Sequence, residues 1–226
     1  MLTLHAGVTQ VATTKSGGNA FLIDGDDGLT LVDAGVARGV DVLLRAIDEL
    51  GRTPADLERI VLTHAHPDHV QAAPLLRERT GARILIHRAD AGWLALGCVP
   101  ADGRSGASAR NYDRLASARW TAFEADETVE DGEVIAGSGG LRVIHTPRHS
   151  PGHVALLHEP TRTLFAGDAV FHTKRLGLGP SAFSADRAGQ AASLARLPTD
   201  IAAIGFGHGD PISGPGLDAF RALVTA

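Results

Sequence analysis

Residues 59–69 run Arg59-Ile60-Val61-Leu62-Thr63-His64-Ala65-His66-Pro67-Asp68-His69. An apolar β-type stretch breaks into three imidazoles and a carboxylate within six residues, and Asp68 to Thr80 then reads as a helix stopped by Gly81. A strand-to-helix junction can turn several side chains towards one point, which a regular helix or strand cannot do at this spacing. Imidazole suits zinc, and also iron or manganese, while the carboxylate adds charge and can hold a second ion. The stretch predicts a metal site beyond a strand end.

Three further places repeat the pattern. His149 and His153 lie in Thr146-Pro147-Arg148-His149-Ser150-Pro151-Gly152-His153, after the β-type run Leu141 to Ile144. Asp168 follows Thr163 to Phe165, and His208 follows Ile201 to Phe206. In sheets covered by helices, sites form beyond strand ends, so four such ends can converge on one cleft.

Around these places the chain alternates strand and helix as a single domain over residues 1–226. Ala20 to Asp24 and Leu29 to Asp33 read as strands joined by the turn Gly25-Asp26-Asp27-Gly28, and Asp41 to Leu50 as an amphipathic helix. Ala82 to His87 and Val154 to Leu157 read as strands, with helices over Ser184 to Leu197 and Leu217 to Val224. Pro100 to Arg119 reads as a surface segment with a short helix near Tyr112 to Ala118.

Composition excludes several classes. The 226 residues are 44% hydrophobic with a formal charge of −5, too apolar for a disordered chain. A mildly acidic chain without a block of like charges is a poor fit for nucleic acid. Cys98 is the one cysteine, which rules out an internal disulfide framework and a thiolate-cluster metal site. No apolar run is long enough for a membrane span. The start, MLTLHAGVTQVATTK, lacks a charged stretch followed by an apolar one, so the expected location is the cytoplasm.

The ordered set of motifs resembles the metallo-β-lactamase-fold hydrolases, whose signature H-x-H-x-D-H is followed by a His, a bridging Asp and a final His. The resemblance runs from Leu31-Val32-Asp33-Ala34-Gly35 to Gly207-His208-Gly209. It implies a four-layer αβ/βα sandwich with metals in a cleft at one edge. By resemblance, His64, His66 and His149 hold one ion, Asp68, His69 and His208 hold a second, and Asp168 bridges them, two Zn2+ being the expected pair with Fe or Mn also suited. Asp33 matches the family Asp that orients a ligand histidine, and His145 and His153 read as supporting residues. His5, His87 and His158 read as surface or strand-end histidines. Arg148 departs from the usual Gly or Cys, and sets a cation beside a ligand.

The reaction implied is attack by a metal-bridging hydroxide on a small ester, thioester or lactone carbonyl, with Asp68 orienting the hydroxide. His172 and Lys174 are candidates for protonating a leaving group or binding a carboxylate. Pro100 to Arg119 carries Arg104, Arg110, Arg114 and Arg119 against Asp102 and Asp113, which suits a lid over an anionic small-molecule substrate. Apolar residues there and on the last helix suit a homodimer contact equally. Phe171 replaces the tyrosine typical of acyl-homoserine lactonases, and a long C-terminal helical extension like that of glyoxalase II is not expected. The alternative is a persulfide dioxygenase-like oxidoreductase with one non-haem iron on His64, His149 and Asp168.

Overall fold

The computed structural model describes residues 1–14, 18–25, 27–186 and 188–225. Its first sheet comprises, in spatial order, β1 (Leu2–His5), β2 (Val8–Ala12), β3 (Asn19–Gly25), β4 (Gly28–Val32), β5 (Leu57–Leu62), β6 (Arg83–His87) and β7 (Glu127–Val129). Pairing is antiparallel from β1 to β4 and parallel from β4 to β7. The second sheet contains β8 (Leu141–His145), β9 (Val154–His158) and β10 (Thr163–Phe165), then β13 (Ala203–Gly205) and β14 (Ile212–Ser213). Between β10 and β13 the chain makes a two-stranded ribbon, β11 (Phe171–His172) with β12 (Leu176–Gly177). The helices are α1 (Val40–Glu49), α2 (Pro67–Val70), α3 (Ala73–Thr80), α4 (Arg88–Leu96), α5 (Ala107–Tyr112), α6 (Gln190–Leu194) and α7 (Leu217–Val224).

Strand periodicity explains the layering, because alternate residues face opposite sides. Leu22, Leu31, Ile60 and Ile84 pack outward against Leu43 and Ile47 of α1 and Leu76 of α3. Their neighbours Phe21, Val32, Val61 and Leu85 point the other way and meet Val143, Leu156 and Phe165 of the second sheet. On the far side, Leu157, Leu164 and Ile204 pack on Leu194 of α6 and on Leu217 and Phe220 of α7. Three apolar layers between helix, sheet, sheet and helix make the αβ/βα sandwich. Phe21 and Phe165 lie with ring centroids 4.9 Å apart across the inner layer. A Cβ on Gly205 would come within 2.4 Å of the Phe21 ring, so this strand position must be bare.

Several expected elements differ. The helix expected over Asp68 to Thr80 is interrupted: Ala72 donates its N–H to Gly35 O instead, and Pro74 has no N–H to continue the ladder. In the Pro100 to Arg119 segment the helix is α5, earlier than expected, with a 3-10 turn at Ala116–Ala118. Among the described residues of Ser184 to Leu197 only α6 is helical. Ala185 and Asp186 instead donate backbone N–H groups to His149 O and Arg148 O, tying this stretch to the loop of the third histidine. Arg187 in that range, and Asp26 in the expected β3–β4 turn, lie outside the described residues. β1, β2, β7, β11, β12, β14 and α4 have no counterpart in the sequence reading. Among the described residues no helix is long and apolar enough to cross a membrane.

Candidate metal centre

The parallel strands β4, β5 and β6 end at one edge of the first sheet, while β10 and β13, also parallel, end at the adjoining edge of the second. Asp33 follows β4, His64 to His69 follow β5, Asp168 follows β10 and His208 follows β13. His149 lies in the β8–β9 connection.

Donor atoms of His64, His66 and His149 lie within 4.8 Å of one another, as do those of His64, His69 and Asp168, and those of Asp68, His69 and His208. His66 Nδ1 is 2.9 Å from His149 Nε2. One Asp168 oxygen is 3.3 Å from His149 Nε2 and 3.7 Å from His208 Nε2, and the other is 3.4 Å from His69 Nε2. Asp168 therefore stands between the two histidine sets, and His208 Nε2 is 3.0 Å from Asp68 Oδ2.

The donor chemistry fits divalent ions. His64 Nε2, His69 Nε2 and Asp168 Oδ1 are buried without a hydrogen-bond partner, an expense a folded protein avoids unless something else meets those atoms. Local bonds aim the rings. His69 Nδ1 donates to Asp33 Oδ2 at 2.8 Å, which turns Nε2 towards Asp168. The Thr63 hydroxyl lies 3.0 Å from His64 Nδ1 and 2.8 Å from Asp33 Oδ2. Asp33 thus supports both ligand sets from one buried carboxylate.

Burial, joined by neighbouring positive charge, holds His64 and His66 well below the usual histidine value. Burial lowers His149 to about 4. These are neutral imidazoles, the form that binds metal. Burial acts in the same direction on His69 and His208, but the carboxylates of Asp33, Asp168 and Asp68 around them prevail and raise both. Asp168 stays ionised because His208, His69 and His149 outweigh the burial that would protonate it.

His153 is buried yet has no free ring nitrogen. Nε2 accepts the Asp168 backbone N–H at 2.9 Å, and Nδ1 lies 2.8 Å from Thr146 Oγ1. It fixes where Asp168 stands rather than holding an ion. A Cβ on Gly167, at φ +51, would meet His153 Nε2 at 2.7 Å, so glycine is needed there. His145 supports the same connection from outside, its Nε2 2.9 Å from Pro151 O. His87 and His158, expected at the surface or at strand ends, do end β6 and β9 but are buried, and His87 stacks on His145. His5 is exposed, and Cys98 is partly buried.

Arg148 does not face the centre. Its guanidinium pairs with Asp186 at 2.7 Å, so the expected cation beside the ligand is turned away. What marks the position is its backbone, at φ +107, a region that favours glycine. Arg148→Gly is expected to leave metal affinity within about threefold and to raise stability by up to ~1 kcal/mol, strain relief exceeding an exposed ion pair. Thermal melts and a metal titration check this; a tenfold change in affinity would restore an electrostatic role.

The centre opens into a cavity of about 360 Å³. Its walls beyond the ligands are Arg104, Tyr112, Phe171, Thr173, Pro180 and Phe183. Arg104 is almost fully buried. Its Nε and Nη2 donate to the two Asp113 oxygens at 2.8 and 3.1 Å, and Nη1 donates to Phe183 O at 2.8 Å and lies 2.9 Å from His66 Nε2. The segment expected to be a surface lid is thus anchored into the wall by this ion pair. Arg119 is exposed, and Arg110 donates to the Arg104 and Ser105 carbonyls.

His172 and Lys174, expected to act on substrate, do not line the cavity. His172 pairs in β11, its Nδ1 2.7 Å from Asp210 O, and Lys174 is exposed. The ribbon instead presents Phe171, whose ring stacks on His208 at 5.2 Å. Asn19 was not singled out in the sequence. Its side-chain amide donates to Phe206 O and Gly209 O at 2.9 and 2.8 Å, holding the backbone on either side of His208.

A family model described as the metallo-beta-lactamase superfamily matches residues 13–208. The chain belongs to the metallo-β-lactamase superfamily. It is 32% identical over 154 residues to the "Probable metallo-hydrolase YqgX" of Bacillus subtilis, covering 68% of this chain and 66% of that protein. It is 28% identical over 155 residues to the "Hydroxyacylglutathione hydrolase GloC" of Haemophilus influenzae, again 68% and 66% of the two chains. In both cases the match spans just under two thirds of the relative. Among solved structures, the BLEG-1 B3 metallo-beta-lactamase superposes with TM-score 0.75 at 22% identity, covering 97% of this chain and all of the other. A metallo-beta-lactamase family protein from Thermus thermophilus gives 0.72 at 24% identity, covering 99% of this chain and 80% of the other. These two likenesses establish the superfamily fold.

Proposed function

We propose that this protein is a metal-dependent hydrolase that uses two divalent ions to cleave a small ester, thioester or lactone. The observation that carries the reading is the convergence of three buried, unpartnered donor atoms, His64 Nε2, His69 Nε2 and Asp168 Oδ1, beside a cavity that Asp168 itself lines. His64, His66 and His149 would hold one ion, Asp68, His69 and His208 the other, with Asp168 between. Asp68, His69 and His208 would also persist beside the single iron of a dioxygenase, so metal identity decides between the two readings. Two bound divalent ions, most simply Zn2+, would supply Lewis acidity that polarises a carbonyl and lowers the pKa of water.

The chain's own groups supply the rest. Asp68 is half-exposed at the cavity while its Oδ2 faces His208, so its other oxygen can accept a proton at the mouth. Phe171, Phe183 and Pro180 exclude water from one side. Arg104 is the one Lys or Arg in the described wall, and Asp113 holds its guanidinium rigid. This favours an acyl substrate carrying an anionic group close to the scissile bond.

Protein purified without added metal is expected to contain close to two zinc ions per chain and to hydrolyse members of a thioester and lactone panel. Close to one iron, with oxygen consumption on glutathione persulfide, would replace the hydrolase by an oxygenase. Arg104→Ala is expected to raise KM for an anionic substrate about 10–100-fold and to leave that of a neutral ester of the same acyl group within threefold. Equal effects on both substrates would remove Arg104 from substrate recognition.

A further inference from the structure

α4 starts directly after β6, and in its first turn Asp90 is fully buried. Among the described residues no charged group pairs with it. Its carboxylate accepts three hydrogen bonds instead, from Ala65 N–H at 3.0 Å and the Ser150 hydroxyl at 2.6 Å on Oδ2, and from Gly152 N–H at 2.6 Å on Oδ1. Ala65 sits between His64 and His66, on the loop leaving the first sheet. Ser150 and Gly152 closely follow His149, on the loop of the second sheet. One carboxylate therefore ties together the two loops that carry His64, His66 and His149.

The approach is close. A Cβ on Gly152 would lie 2.6 Å from the Asp90 backbone nitrogen and 2.8 Å from its carboxyl carbon, so this position has no room for a side chain. None of the three bonds reaches Asp68, His69 or the loop of His208. His69 of that second set is as buried as the first, but its other two members are more open, with side-chain exposures of 40% for Asp68 and 19% for His208 against 4% for His149, while His64 and His66 are buried.

We propose that Asp90 is a positioning residue that locks His64, His66 and His149 into one ligand geometry, making this the tighter of two unequal metal sites and the first to fill. A rigid, buried ligand set meets an ion with little side-chain freedom to lose, whereas the more exposed Asp68 and His208 have more to give up. The inference rests on the two-ion reading above.

The test is stepwise Zn2+ titration of chelator-stripped protein against a competing chromophoric chelator, with melts of the metal-free chains alongside. The native chain is expected to bind in two resolved steps. Asp90→Asn keeps the shape but turns an NH2 towards donors, and should weaken the tight step about 10–100-fold while the weak step stays within about threefold. Ser150→Ala removes one of the three bonds and should move the same step in the same direction by a smaller factor. His208→Ala is the mirror, losing the weak step and keeping the tight one. If Asp90→Asn and Ser150→Ala lower the melting temperature yet leave the tight step unchanged, Asp90 is only a structural tie. Equal weakening of both steps, or a single unresolved step in the native chain, also overturns the proposal. No uptake at all by the native chain is a different failure, that of the seven-ligand reading beneath it.

Discussion

Asp168→Ala is expected to lower kcat/KM on any substrate the native chain hydrolyses by at least about a thousandfold, about 4 kcal/mol of transition-state stabilisation. Its two oxygens approach His69, His149 and His208 at 3.3 to 3.7 Å, so both ligand sets lose their common anionic member at once. The clustered imidazoles would then face two cations with Asp68 as the remaining carboxylate. Elemental analysis should show fewer than two ions per chain after dialysis, while circular dichroism of the metal-free variant stays native. The carboxylate is not what holds Asp168 in place, since His153 accepts its backbone N–H and that bond survives the substitution. Retention of a tenth of native turnover in metal-replete variant would remove Asp168 from the centre.

The second large effect concerns the fold. Phe165 is fully buried in β10, in the layer between the sheets, and packs on Phe21. Phe165→Ala should cost about 3–5 kcal/mol, the loss of a buried aromatic plus the cavity left behind. Leu96, 58% exposed at the end of α4, is the comparison: Leu96→Ala should stay within about 0.5 kcal/mol. Urea denaturation of the two variants measures the difference. Because Asp168 follows β10 by three residues, the Phe165 variant should also bind metal less tightly well below its unfolding midpoint. A cost under about 1 kcal/mol would mean that the sheets close over the gap and that their spacing is not set by this pair.

Arg104 and Asp90 show two ways in which buried charge is managed beside one centre. Arg104 has a full counter-charge in Asp113, so the pair can stand in a desolvated wall with Nη1 against His66. Asp90 has no cation among the described residues, and its charge is met by N–H and O–H donors from two loops. The first arrangement fixes a cation in the wall. The second holds loops still.

The amino-acid sequence alone pointed to the candidate ligands and, through the family resemblance they carry, to the class of fold. His64, His66, Asp68 and His69 are placed by spacing along six residues at a strand end, and such spacing is a local property. His149, Asp168 and His208 each follow a short apolar run, so each could be read as sitting at a strand end without knowing which strands are neighbours. The alternation of Ile60 with Val61, or Leu164 with Phe165, likewise encodes two faces in adjacent letters. Tertiary structure alone decided what lies around those ligands. Arg104 meets His66 across 38 positions of chain and Asp90 meets Gly152 across 62, and no periodicity connects residues so far apart. Their proximity follows from how two sheets close on a shared apolar layer. The same packing turned His172 into a ribbon residue and Arg148 outward to Asp186. Local pattern names the atoms that can bind a metal, and the closed core selects the side chains that aim, wall and tune them.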